Sequence, residues 1–225
     1  MKLKIRCFLT TFFASISLLS AQDSEDYVEF NDRRNIVHGV YLGITAHYGE
    51  IDGKDTYLAG LKVAYVANQQ FEVGWSGVVF YSQQDLPNLN FSNNEDVIGG
   101  YGGLHLEPIF FSKSRVNLSI PLLIGAGGIA YVDGDRVFDD DFDDNDVDTS
   151  DAFFVIEPGI NMLYNVSRYL QLEVGIRYRF SSKIDLSPDP SPLDRINGFS
   201  AGIGIKVGVF NLGRNRYKKK IDDGE

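Results

Sequence analysis

The chain has 225 residues, a length that suits one domain, with 31 Asp and Glu against 21 Lys and Arg and a formal charge of −10. An acidic chain is a poor partner for nucleic acid, whose phosphates need Lys and Arg to neutralise them. The single cysteine, Cys7, excludes a disulfide framework, and its place in the N-terminal leader removes zinc–thiolate and cysteine-nucleophile chemistry from the rest.

Residues 1–21, MKLKIRCFLTTFFASISLLSA, read as a secretory signal peptide. Lys2, Lys4 and Arg6 form its positive start, Cys7–Leu19 its apolar stretch, and Ser20-Ala21 the small residues before a cleavage after Ala21. That stretch is short for a spanning helix. Cys7 precedes the apolar core, which is a poor place for lipid attachment. Losing three basic residues with the leader takes the formal charge from −10 to −13. Residues 22–34 are polar and acidic and read as a loose periplasmic segment.

Eight strand-like segments follow: Ile36–Tyr48, Thr56–Ala67, Gln70–Tyr81, Val97–Phe111, Arg115–Tyr131, Ala152–Tyr164, Tyr169–Ser181 and Ile196–Phe210. No later run reaches about 18 uninterrupted apolar residues, so any membrane crossing rests on strands. The connections alternate in length. Asn68-Gln69, Ser112–Ser114 and Asn165–Arg168 are tight, whereas Gly49–Asp55, Ser82–Asp96, Val132–Asp151 and Ser182–Arg195 are longer and rich in Asp, Asn, Ser, Pro and Gly. An even-stranded up-and-down barrel places short turns in the periplasm and long loops outside, with both termini periplasmic.

Side chains alternate between the faces of a strand. In the seventh segment Leu170, Leu172, Val174, Ile176, Tyr178 and Phe180 share one face; Tyr169, Gln171, Glu173, Gly175, Arg177 and Arg179 share the other. The last segment sets Phe199, Ala201, Ile203, Ile205, Val207 and Val209 against Ser200, Gly202, Gly204, Lys206 and Gly208. A soluble lipocalin-like binding barrel alternates too, with its apolar face inside. The glycines Gly39, Gly43, Gly60, Gly74, Gly99, Gly103, Gly125 and Gly127 fall on the less apolar face. Glycine weakens a solvated strand and gains nothing there, but in a narrow lumen it makes room for long neighbours. The apolar face therefore belongs against lipid, and closure of the barrel satisfies the backbone groups that hydrocarbon cannot. Tyr65, Phe71, Phe110 and Tyr164 near the short turns, and Tyr48, Tyr57, Tyr81, Phe154, Tyr178, Phe180 and Phe199 near the long loops, fit two interfacial aromatic belts.

With the signal, the eight alternating segments, the lumenal Gly and charge face and the terminal GFSAGIGIKVGVF, residues 35–210 resemble the small eight-stranded outer-membrane barrels of the OmpA membrane-domain and OmpX type, and the short outer-membrane β-barrel proteins common in Bacteroidetes. The resemblance implies an all-β, eight-stranded antiparallel up-and-down transmembrane β-barrel in the outer membrane of a Gram-negative bacterium. It implies outer-membrane lipid and the barrel assembly machinery as partners, a monomer and no cofactor. Such barrels usually end on an aromatic residue on the outward face. Here Phe210 falls off that register, and residues 211–225 continue as a periplasmic tail containing the basic run RNRYKKK.

The lumenal face carries Lys62, Glu72, Glu107, Glu157, Glu173, Arg177, Arg179 and Lys206. Opposite charges in a narrow interior should pair, since isolated buried charges are costly, and the turn after Tyr164 predicts a Glu157–Arg177 contact. Glu107-Pro108 and Glu157-Pro158 predict bulges or irregularities, because proline lacks a ladder donor. The acidic stretch 132–151 offers Asp139, Asp141, Asp144, Asp146 and Asp148 as a weak site for a hard divalent cation such as calcium. Its Asp-x-Asp-x-Asp run lacks the glycine and glutamate of an EF-hand loop. His47, Glu50, Ser181 and Ser182 near the outer rim are the residues a lipid-active enzyme would need, but neither G-x-S-x-G nor H-E-x-x-H occurs. The expected role is structural, adhesive or accessory to an envelope complex rather than enzymatic, with a narrow solute channel as the alternative.

Overall fold

The computed structural model describes residues 37–86, 95–112, 114–133, 147–185 and 193–212. The signal, the N-terminal segment and residues 213–225 lie outside the described residues. The described chain is all β: β1 (His38–Ile51), β2 (Lys54–Ala67), β3 (Phe71–Leu86), β4 (Glu95–Phe110), β5 (Val116–Ser119), β6 (Leu122–Asp133), β7 (Val147–Asn165), β8 (Leu170–Ser181) and β9 (Gly198–Leu212). Apart from β5 and β6, each strand pairs antiparallel with its sequence neighbours, and β9 pairs with β1 to close the ring. β5 and β6 both lie between β4 and β7. They are two halves of one stave, so nine strands form an eight-stave barrel.

The break in that stave is made by proline. Pro108, Pro121 and Pro158 sit beside one another on β4, the β5–β6 junction and β7. Leu106 pairs with Leu122 and Ile109 with Ser119, so the register is the same on both sides of the gap. The same holds for Ser119 with Asn161 and Leu122 with Pro158. The ladder therefore loses donors without gaining a residue, so of the bulge or irregularity expected at the Glu-Pro pairs the structure shows the second, an in-register interruption. Ile120 N still donates to Pro108 O at 3.1 Å, and Gly159 N to Pro121 O at 2.8 Å.

One connection differs from its sequence reading. The expected long loop over 49–55 is a two-residue turn, because β1 runs to Ile51 and β2 starts at Lys54. Asp52 and Gly53 both take positive φ, 51° and 75°, the geometry an Asp-Gly hairpin turn requires. Asn68 and Gln69 do the same at the opposite end of β2, with φ of 52° and 58°. The acidic segment is also shorter as a loop than expected, since Val132, Asp133 and Val147–Asp151 belong to β6 and β7.

The two faces separate as the alternation predicts. Ile203, Ile44, Val79 and Trp75 are 66, 63, 61 and 69 % exposed on the outer surface, whereas Lys62, Lys206, Glu72 and Glu107 are at most 1 % exposed inside. A water-soluble barrel would show the reverse. An apolar exterior with a polar, filled interior is the arrangement of a transmembrane barrel.

Candidate functional site

The lumen is packed in three layers. Toward the long loops lies an apolar cluster that includes Ile51, Leu58, Phe80, Val97 and Tyr131. It is completed by Ile184, Leu193 and Ile196, which are at most 2 % exposed. These three come from the β8–β9 connection, so the described ends of that connection turn into the mouth and plug it rather than projecting outward. Toward the short turns lies a smaller cluster of Tyr41, Ala64, Val66 and Phe210. Phe210 faces inward and stacks on Tyr41, with ring centroids 5.7 Å apart.

Between the apolar layers sit the charges. Lys206 Nζ lies 3.1 and 2.9 Å from the two oxygens of Glu72, 3.2 Å from Glu107 Oε2 and 3.4 Å from Glu173 Oε2. Lys62 Nζ lies 2.8 and 2.7 Å from the oxygens of Glu173 and 3.9 Å from Glu107 Oε2. Arg177 reaches Glu157 and Glu173, each at 3.4 Å, so the contact expected between Glu157 and Arg177 is present. Neutral donors complete the carboxylates. Tyr41 donates to Glu72 and Tyr101 to Glu157, both at 2.5 Å. Ser119 and Asn161 donate to Glu107 at 2.5 and 3.1 Å. Ionic burial of this kind is tolerated only when nearly every donor and acceptor is met.

Arg179 departs from the expected pairing. Among the described residues it makes no ion pair. Its Nε donates to Ile196 O at 2.7 Å, and its Nη atoms to Tyr101 OH and Glu50 O, both at 3.4 Å. Its guanidinium also lies 5.7 and 5.8 Å from the Phe80 and Tyr101 ring centroids. It ties the inserted loop to the barrel wall. Formally, the four buried Glu side chains balance Lys62, Lys206, Arg177 and Arg179.

The layer contains one arrangement that the sequence reading missed. Glu72, His105 and Glu107 offer ligand atoms within 4.8 Å of one another, a donor set suited to a divalent ion. His105 Nε2 is 3.0 Å from Glu107 Oε2. The Lys206 ammonium already bridges both carboxylates, so the protein supplies its own cation there. The signal was present in His105-Leu106-Glu107, two same-face residues, but only the strand register brings Glu72 opposite Glu107.

Of the other candidates, the described ones are not drawn together. Asp139, Asp141, Asp144 and Asp146 lie outside the described residues, and Asp148 falls within β7. Ser181 Oγ accepts from Ile196 N at 2.9 Å, and Ser182 Oγ from Phe154 N at 2.9 Å. Both hydroxyls thus hold backbone, and among the described residues no hydrogen bond joins either to His47.

No family model matches the chain, and no curated protein matches it. Several solved structures are similar in fold. Neisserial surface protein A is 11 % identical, with a TM-score of 0.47 and coverage of 76 % of this chain and 96 % of its own. Ail, the attachment invasion locus protein of Yersinia pestis, is 16 % identical with a TM-score of 0.43, covering 77 % and 99 %. The outer membrane protein OprG from Pseudomonas aeruginosa is 15 % identical with a TM-score of 0.39, covering 77 % and 94 %. At these identities and scores, the functional reading rests on this chain's own residues.

Proposed function

We propose that the protein is a monomeric integral barrel of a Gram-negative outer membrane, with its long loops extracellular and both termini periplasmic, acting through the surface it presents rather than by conduction or catalysis. The observation that carries this reading is the filled lumen. A layer of paired charges, most of it at most a few per cent exposed, is closed above and below by apolar side chains. Eight staves leave room for little beyond side chains. A solute path would have to part the Lys206–Glu72, Lys62–Glu173 and Arg177–Glu157 contacts together.

The test is electrical. Purified barrel reconstituted in planar bilayers should give no resolved single-channel steps, whereas steady ohmic steps would replace this reading with a narrow solute channel. The same preparation should run as a compact band on an unboiled gel and shift on boiling, as a hydrogen-bonded barrel does.

A further inference from the structure

A cavity of about 340 Å³ opens at the short-turn end of the barrel, opposite the plugged mouth. Its size falls at the low end of small-molecule pockets, which span about 300–1,000 Å³. It lies among the β2–β3, β4–β5 and β7–β8 turns and meets the charged layer at Glu72, whose carboxylate is held by Tyr41 and Lys206.

The floor contains three side-chain amides in series. Gln171 Nε2 donates to Asn165 Oδ1 at 2.7 Å, Asn165 Nδ2 donates to Asn117 Oδ1 at 2.5 Å, and Asn117 Nδ2 donates to the carbonyls of Phe111 and Ser114. Carbonyls only accept, so the end of the chain fixes the orientation of every amide in it. Asn165 Nδ2 also reaches Ser114 O at 3.2 Å. Among the described residues the donors of Asn117 and Asn165 are therefore committed, while their oxygens keep unused lone pairs and Gln171 Oε1 is buried with no donor. The floor is rich in acceptors.

The rim is the opposite. Arg115 and Arg168, both exposed, line it, with the Arg168 guanidinium 5.9 Å from the Tyr169 ring centroid, and Ser112, Ser114 and Ser167 add hydroxyls. Guanidinium forks match carboxylate and phosphate. Val66, Ile109 and Phe210 supply an apolar patch between rim and floor. A ligand that complements all three carries several hydroxyls to donate inward, C–H surface for the patch, and one anionic group for the rim. We propose that this vestibule binds an acidic sugar, one bearing a carboxylate or a phosphate. A simple anion lacks the inward donors, a neutral sugar lacks the rim contact, and a metal ion would meet the guanidiniums.

The vestibule is built from residues whose placement does not depend on the function proposed above; a periplasmic source for the sugar would rest on the orientation proposed there. Calorimetry on the folded mature barrel in detergent, with glucuronate, glucose 6-phosphate, glucose and inorganic phosphate as probes, tests it. At least one acidic sugar should bind about tenfold or more tighter than both glucose and phosphate, the range set by hydrogen bonds to a charged group. The Arg115→Gln/Arg168→Gln variant, folded by its heat-modifiable band, should lose that preference. Tighter glucuronate would indicate a carboxylated wall sugar, and tighter glucose 6-phosphate a phosphorylated headgroup sugar; either supports the site. No heat from any probe, glucose or phosphate binding as well as both acidic sugars, or an unchanged preference in the double variant would each overturn it.

Discussion

Glu72 and Glu107 stand directly opposite each other on β3 and β4, a like-charged cross-strand pair that by itself destabilises a sheet. Lys206 reverses the sign from across the lumen by touching both. Replacing it with methionine keeps the volume and removes the cation, leaving buried carboxylates uncompensated. Lys206→Met should lower stability by about 3–5 kcal/mol, the cost of breaking a buried pair from one side, read as a shift in the urea midpoint in detergent. The same change takes the positive charge out of the Glu72–His105–Glu107 set and leaves a thioether in its place. Zinc should then raise the midpoint of Lys206→Met and leave the wild-type midpoint unchanged; equal zinc responses would sink the idea that the ammonium occupies a metal position. The sequence alone shows eight lumenal charges but not this pairing. Lys206 and Glu72 are 134 residues apart, and their contact depends on which staves face each other across the lumen.

At the scale of elements, the alternating faces were legible and the boundaries less so. The outward sets of β8 and β9 follow directly from period two, because hydrocarbon and lumen demand opposite side chains. The Asp52-Gly53 turn was missed: Asp-Gly between alternating apolar residues is a strong hairpin signal, but the surrounding polar residues suggested a longer loop. The Glu-Pro pairs signalled an irregularity, but the β5–β6 break itself was not legible, because it depends on Pro108 of β4 and Pro158 of β7 lying beside Pro121 at the junction. Nor was the inserted plug: Ile184, Leu193 and Ile196 sit in a Pro- and Ser-rich connection where apolar residues have no periodicity to report their burial. Glycine placement gives the sharper test. A Cβ on Gly204 would come within 2.7 Å of Glu173 Cγ and 2.8 Å of Glu173 Oε1, whereas one on Gly77 meets nothing within 4 Å. Gly204→Val should therefore destabilise by about 1–3 kcal/mol, as overpacking does. Gly77→Val on the outer face should stay within about 0.5 kcal/mol of wild type. Thermal or urea unfolding of the two variants side by side checks this, and equal effects would mean the lumen is looser than its contacts indicate.

The whole molecule turns on which solvent its outer face meets, since the same alternation would serve a soluble barrel turned inside out. The exposures decide the geometry: Ile203 projects outward at 66 % and pairs with Ala46 and Val174 on its neighbours, far from either end of β9. Val116 projects outward at 47 % beside the β4–β5 turn. In a bilayer the cost of an outward arginine depends on depth, about 2–4 kcal/mol at the midplane and about 0–1 near the interfaces. In water both positions would accept arginine at little cost. Ile203→Arg should thus cut folding stability in lipid vesicles by about 2–4 kcal/mol, while Val116→Arg, whose side chain can snorkel to the headgroups, should change it by less than about 1. Urea titrations of vesicle-folded barrel read both values on one scale. A depth-dependent difference ties the apolar belt to hydrocarbon. Two equally small effects would place the outer face in water, where so large an apolar surface would have to be covered by another protein.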